Sequence, residues 1–389
     1  MDFLKQRLVE LNAIKGARSS KPFDVRGFEI VSIRDEEFKK LVNFSSNDYL
    51  GLAGDKELTK EFFADFDFED NMNFMSASSA RPLTGTSLQH DLLEKRIAHD
   101  YKKSSALVFN SGYRANSGTL AAITNKDDLI LADKLVHASI IDGLLLSKAS
   151  FKRFSHNDVS HLEKLLEKYH HDYARIWIVT ESIFSMDGDF APLKSIVELK
   201  KRYSAYLYVD EAHAIGCYGD NGLGLAEKLN LIDQIDVLVG VFGKATAGVG
   251  AFVVSSQLII DSLINYSRSW LFSTALPPIN IAWNYFIWQR LPSFDSERKQ
   301  LQKLTNLFRK SLLSADFSII GESHIIPLMQ AGNNNVVATS DYLQDRGFLV
   351  MPIRSPTVKK GSERVRFSLT ANLPESCIER LIEALINKH

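Results

Sequence analysis

The stretch DVLVGVFGKATAGVGAFVV, Asp236 to Val254, constrains this chain more than any other. Val237–Phe242 and Ala251–Val254 read as buried strands. Between them lie Gly243–Lys244 and a loop with Gly248 and Gly250. A lysine between two core strands needs a reason, because an unpaired buried ammonium is costly. Desolvation lowers its pKa and makes the amine a nucleophile. The flanking glycines allow a tight turn and a close approach to a ligand. Lys244 is then either a Schiff-base lysine or a surface lysine in a β-turn. It does not belong to a phosphate loop GxxxxGK[ST], which needs Gly at 238 and Ser or Thr at 245, where this chain has Leu238 and Ala245.

The surroundings decide which strands that lysine joins. From about residue 87 to 256, apolar strands alternate with amphipathic helices. The strands are Ala106–Phe109, Leu129–Ala132, Phe151–Phe154, Ile176–Thr180, Tyr206–Val209 and Val237–Phe242, with helices such as Val159–Tyr169 and Leu193–Arg202 between them. That pattern predicts an α/β fold with a mostly parallel sheet covered on both faces, and ligands at the carboxyl ends of the strands. Phe3, Leu4, Leu8, Leu11 and Ile14 recur at helical spacing, and Phe28–Ile33 and Leu41–Phe44 read as a short ribbon. Pro277–Pro278 opens a long helical region towards Leu313. An α+β remainder follows and closes with a helix over Glu375–Asn387. The expected organisation is an N-terminal helix and ribbon over 1–50, a large α/β domain over 51–285 and a small α+β domain over 286–389.

Composition removes several classes of function. A net charge of -1 offers nothing to nucleic acid. Two cysteines are too few for a disulfide framework and suit a reducing cytosol. MDFLKQRLVEL is no signal peptide, and no apolar run reaches the length of a membrane span, so a cytoplasmic protein without a membrane partner is expected.

Chemistry gathers at the strand ends. Tyr206–Val209 runs into Asp210–Glu211–Ala212–His213. A DEAH-box helicase would need an upstream phosphate loop, and none is present. A carboxylate at Asp210 can instead hold a pyridine nitrogen protonated, and a pyridinium is the electron sink of pyridoxal 5'-phosphate (PLP). His213 can reach that cofactor's phenolic oxygen, or serve as a structural histidine. Asn110–Ser111–Gly112–Tyr113 turns from strand to helix and presents backbone N–H groups to an anion, as a plain strand-helix turn also does. His137 follows another strand end, where an imidazole can lie on an aromatic ring or start a helix. Ser185, in FSMDGD, can donate to the ring or its oxygen, while Asp187–Gly188 reads as a turn. Arg354, in the rigid PIRSPT, is a candidate for a substrate carboxylate or a solvated arginine.

The segments NFSSNDYLGL, NSGYRAN, DKLVHASIIDG, FKRFSHND, TESIFSMDGDFAPL, VDEAHAIGCYG, FGKATAGVGA, FSTALPP and PIRSPTV resemble the α-oxoamine synthases, fold-type I PLP-dependent transferases, along nearly the whole chain. The resemblance implies that Lys244 carries the PLP and that Asp210 partners the pyridinium. It places His213 and Ser185 near the phenolic oxygen, His137 on the ring face and Gly112 and Tyr113 in the cofactor-cradling turn. Asn47 and Arg354 match the carboxylate-binding residues and Thr357 a substrate contact. Ser273 and Thr274 match residues that reach the phosphate of a neighbouring subunit, which implies a homodimer with shared sites. Arg18 or Lys21 would meet the distal carboxylate of the acyl substrate. No metal is implied. The pairing of NFSSNDYLGL with IRSPTV leans towards decarboxylative condensation of L-alanine with a pimeloyl thioester, on CoA or acyl carrier protein, in biotin synthesis. Alternatives are a glycine C-acetyltransferase and a non-catalytic PLP-binding protein.

The chain departs from the family pattern twice. Val241 stands where the family has a threonine that binds the phosphate. Ser76–Arg81 replaces a glycine-rich stretch and is expected to restrict the backbone there.

Overall fold

The structure is a computed structural model that describes residues 1–17, 22–34, 37–66 and 74–388. It divides into two compact units. The larger spans Lys56–Phe184 and Phe190–Asp295, and the smaller Met1–Asp55, Ser185–Asp189 and Ser296–His389. The N-terminal helix and ribbon therefore share one unit with the C-terminal segment.

The larger unit is built on a seven-stranded sheet. Its strands are β1 (Ser105–Phe109), β2 (Asp128–Asp133), β3 (Ser150–Phe154), β4 (Arg175–Glu181), β5 (Tyr206–Asp210), β6 (Val237–Val241) and β7 (Ala251–Ser255). Their spatial order is β1-β7-β6-β5-β4-β2-β3. β7 runs antiparallel to both of its neighbours, and the other pairs are parallel. The inner strands are continuous apolar runs because both faces are covered: Leu129, Ile130, Leu131, Leu207, Tyr208 and Val209 are all inaccessible. Among the helices of this unit, α1 (Gly112–Ile123) comes directly after β1 and α2 (Ala138–Leu146) directly after β2.

The loop from β6 to β7 carries Lys244 and closes on itself. Phe242 N–H donates to Gly250 O (2.9 Å), Gly248 N–H to Phe242 O (2.7 Å) and Ala247 N–H to Lys244 O (2.9 Å). Gly250 has φ +103°, and a Cβ there would lie 2.8 Å from Phe109 O and 2.6 Å from Leu276 Cδ1, so the position admits only glycine. The expected long helical region is two helices, Pro278–Arg290 and Asp295–Ser314, with a short 3₁₀ turn over Leu291–Ser293.

In the expected restricted stretch, Ser78 takes φ +50°, and the stretch ends at a buried arginine. Arg81 pairs with Glu94 through both terminal nitrogens (3.0 and 3.1 Å), and its Nε donates to Thr86 Oγ1 (2.9 Å). Glu94 Oε1 also accepts Val108 N–H of β1 (2.7 Å). The pair thus ties the helix Leu88–Asp100 to the sheet edge. Burial pushes the Glu94 carboxyl above its usual range, and the Arg81 charge opposes that shift.

In the smaller unit, strands Phe23–Arg26, Glu29–Arg34 and Glu37–Asn43 form the ribbon, and Phe348–Leu349 adds to it in parallel. A second sheet joins Ile325–Met329, Arg364–Ser368 and Pro352–Ile353. The core between them is aromatic: the Phe44 ring lies 6.1 Å from that of Phe348 and 6.3 Å from that of Phe367. Asp187 does more than turn the chain. It forms a largely buried ion pair with Arg364 (2.7 Å). No described helix is long and apolar enough to cross a membrane.

Removing one member of a buried ion pair strands the other. Arg81→Met should destabilise the protein by about 3–5 kcal/mol. Chemical denaturation followed by tryptophan fluorescence would measure it. A loss within the range of ordinary surface substitutions would mean that the pair does not hold the helix to the sheet.

Candidate active site

The carboxyl ends of β4, β5 and β6 open onto a cavity of about 330 Å³ that lies wholly within the larger unit. Lys244, Asp210, His213, His137, Gly112 and Tyr113 all line it. Lys244 Nζ lies 2.7 Å from His213 Nε2.

Two carboxyl groups stand side by side. β4 and β5 are in register, with Glu181 the Cα partner of Asp210. Asp210 is buried, and each of its oxygens has a donor: Oδ1 accepts Ala212 N–H (2.8 Å) and Oδ2 accepts Asn116 Nδ2 (2.7 Å). Glu181 Oε1 accepts the backbone N–H of His137 (2.5 Å). Burial, and then the Asp210 charge, push the Glu181 carboxyl well above its usual range, with the Lys244 charge working the other way. The site therefore favours the protonated form of Glu181.

His137 caps α2, and its Nδ1 lies 2.7 Å from Ser139 Oγ and accepts Ser139 N–H (3.2 Å). Burial lowers its pKa, the Asp210 charge opposes this and the Lys244 charge adds to it. The Tyr113 ring meets that of His137 nearly edge-on, with centroids 6.5 Å apart, and its hydroxyl donates to Asp142. Ser111 caps α1 by accepting Arg114 N–H (3.3 Å), which leaves the first amides of the helix facing the cavity. Gly112 packs directly on Val241, since a Cβ at 112 would lie 2.6 Å from Val241 Cγ1. Beneath the site, Glu211 accepts Ser182 Oγ (2.6 Å), Leu225 N–H (3.0 Å) and Ala226 N–H (2.7 Å), and burial raises its pKa to about 7.

Ser273 and Thr274 lie in the same unit but outside the cavity lining. Ser273 Oγ donates to Ser269 O (2.7 Å) and accepts from Arg114 (2.8 Å). Thr274 bridges to Ala80, and its carbonyl accepts Asn110 Nδ2. Ser185, Asn47, Arg354 and Thr357 belong to the smaller unit. There the Ser185 carbonyl accepts Arg366 Nε (2.6 Å), and Asn47 Oδ1 accepts the Tyr49 hydroxyl (3.0 Å). Arg354 donates to Ala17 O, and Thr357 N–H to Arg354 O (2.9 Å). Arg18 and Lys21 lie outside the described residues. Sequence reasoning passed over Glu181, Asn116, Ser139 and Arg366. Only Glu181 carried a legible signal, as a carboxylate at the end of the strand next to that of Asp210.

Residues 39–385 match the family model described as aminotransferase class I and II. The chain belongs to this family. Within it, the chain is an α-oxoamine synthase with the fold-type I PLP-dependent transferase fold, and the family's reaction is a Claisen-type condensation. It is 46% identical to the 8-amino-7-oxononanoate synthase of Haemophilus ducreyi, across 99% of this chain and 100% of that one. Among solved structures it resembles a serine palmitoyltransferase variant of S. paucimobilis with a bound PLP–myriocin adduct. That match has TM-score 0.89 and 27% identity, and covers 99% of this chain and 96% of the other. It also resembles the 8-amino-7-oxononanoate synthase of Francisella tularensis, with TM-score 0.77 and 27% identity over 90% of this chain and 97% of that one.

The contact between Gly112 and Val241 is testable without any ligand. Gly112→Ala should lower the melting temperature by several degrees, from overpacking of about 1–3 kcal/mol. Val241→Ala in the same chain should restore most of the loss. A Gly112→Ala protein as stable as the parent would show that the turn yields freely.

Proposed function

We propose that this chain binds PLP and condenses L-alanine with a pimeloyl thioester, giving 8-amino-7-oxononanoate, CO2 and the free thiol, in biotin synthesis. The observation that carries the reading is the Lys244–His213 contact beside Asp210 in one cavity, in a chain 46% identical to a named synthase over 99% of its length.

The residues present suit the cofactor. Lys244 offers an amine, and Asp210 a buried carboxylate for a ring nitrogen. His137 offers a ring face. Gly112 and Tyr113 offer helix-start amides for a phosphate, and at 112 a Cβ would press on Val241. Bound there, PLP supplies an electron sink for a carbanion at the amino acid's Cα.

The chain's own groups do the rest. Lys244 Nζ removes the proton at Cα and returns one after CO2 has left, with His213 as its hydrogen-bond partner at 2.7 Å. Asp210 keeps the ring nitrogen protonated, while Glu181, holding its own proton, adds no competing negative charge. Asn47 and Arg354 are proposed to hold the substrate carboxylate and orient the bond to be broken. Arg18 or Lys21 is proposed for the distal carboxylate. A homodimer is proposed as well, in which Ser273 and Thr274 serve the partner's phosphate. Leu83, Leu258 and Phe272, each more than 70% exposed, leave the larger unit with apolar surface for such a contact.

Borohydride reduction after adding PLP should fix the label on Lys244. Thiol release should be faster with L-alanine and pimeloyl thioester than with glycine and acetyl-CoA. A label on another lysine would remove the assignment of the site, and faster release from glycine and acetyl-CoA would move the chain to another branch of the family. Val241→Thr, close to isosteric, should tighten PLP by about 1 kcal/mol, the net worth of one hydrogen bond. Unchanged affinity would mean that another group already satisfies that phosphate oxygen.

A further inference from the structure

Three buried polar side chains, Tyr208, Asn116 and Ser139, form a continuous relay that ends on His137 in the cavity wall, with Asp210 as a branch. Tyr208, Asn116 and Ser139 are each 2% exposed or less. The Tyr208 hydroxyl donates to Asn116 Oδ1 (2.7 Å). Asn116 Nδ2 donates to Asp210 Oδ2 (2.7 Å) and to Ser139 Oγ (2.9 Å). Ser139 Oγ lies 2.7 Å from His137 Nδ1.

The direction of every hydrogen in this relay follows from its ends. An ionised Asp210 only accepts, so the group of Asn116 facing it is the amide nitrogen. Tyr208 fits that orientation. With the nitrogen turned to Asp210, the Asn116 group facing the phenol is the oxygen, and the Tyr208 hydroxyl donates to it. The second Asn116 hydrogen goes to Ser139 Oγ, and because His137 Nδ1 already accepts the backbone N–H of Ser139, the Ser139 hydroxyl donates to that nitrogen as well. The backbone N–H of Ser139 points at the same nitrogen (3.2 Å). Two donors converging on Nδ1 leave no place for a hydrogen there.

We propose that Asn116 and Ser139 are positioning residues that hold His137 as its Nε2–H tautomer and tie the ring to Asp210. Asn116 sits one turn into α1, the helix whose first residues cradle the proposed phosphate. The amide therefore links the site's carboxylate to its imidazole. The ionisable groups around His137 are Glu181 from β4, Asp210 from β5, Lys244 from the loop after β6 and Tyr113 from α1. Of these, Glu181 holds the His137 main chain, and only the relay reaches Nδ1. Resting on the proposed function for its chemical meaning, the Nε2–H is then the one hydrogen that His137 can give to a substrate oxygen.

The test is imidazole 15N NMR on the enzyme as purified and again after saturation with PLP, with the His137 signals assigned by their loss in His137→Gln. Nδ1 should be pyridine-type and Nε2 pyrrole-type around neutral pH. Asn116→Ala frees Ser139 Oγ to accept, so both nitrogens should move towards the averaged position of exchanging tautomers. Ser139→Ala, which keeps the Asn116–Asp210 bond, should move them the same way and serves if Asn116→Ala does not fold. A pyrrole-type Nδ1 in the parent protein, or spectra unmoved by either variant that folds, would overturn the proposal. Absence of any PLP spectrum would instead overturn the cofactor reading and leave the tautomer result standing.

Discussion

Two carboxyl groups on paired neighbouring strands, Glu181 and Asp210, cannot both ionise cheaply in a buried site. The rest of the site answers that constraint. A backbone N–H and the Asn116 amide both donate to Asp210. Burial and the Asp210 charge push the Glu181 carboxyl well above its usual range, although the His137 backbone N–H donates to it. Lys244 places a positive charge near the pair that only partly offsets the rise at Glu181, while His137 stays neutral between an anion that would protonate it and a cation that would not. One negative charge at a chosen atom is the result.

The sheet makes that constraint possible. A parallel strand pair in register brings residues 29 apart in sequence to neighbouring positions, and covering both faces with helices removes the water that would screen them. The edge of the same sheet is held differently. Arg81 and Glu94 also form a buried pair, yet of opposite charge, and their remaining hydrogen bonds go to Thr86 and to the main chain of β1. One pair stores polarity for a ligand, and the other joins a helix to a strand.

Much of this was legible in the sequence, because Lys244, Asp210, His213 and His137 each come after an apolar run long enough to read as a strand. The alternation of strands and helices also announced the fold. Other residues were hidden for physical reasons. Asn116 lies inside a helix, where an asparagine reads as surface, and its partner Asp210 is 94 residues away. Arg366 meets the Ser185 carbonyl across 181 residues. Asp187 read as a turn because its partner, Arg364, comes from the far end of the chain. The helix Asn333–Asp345 opens on three asparagines, which favour loops locally. Its apolar anchors Val336 and Leu343 outweigh that preference by being buried. Arg18 and Lys21 fall outside the described residues.

Helix α1 begins at Gly112 and carries Asn116 one turn later. Four residues of α-helix advance about 6 Å and return to nearly the same face. The helix is therefore a gauge. It fixes the spacing between the amides that would grip an anion and the side chain that orients Asp210. A ligand satisfies both ends only if its own length fits that interval. A one-residue insertion in this turn would swing Asn116 about 100° around the axis and cut its link to the sheet. That interval is set by a single turn of backbone.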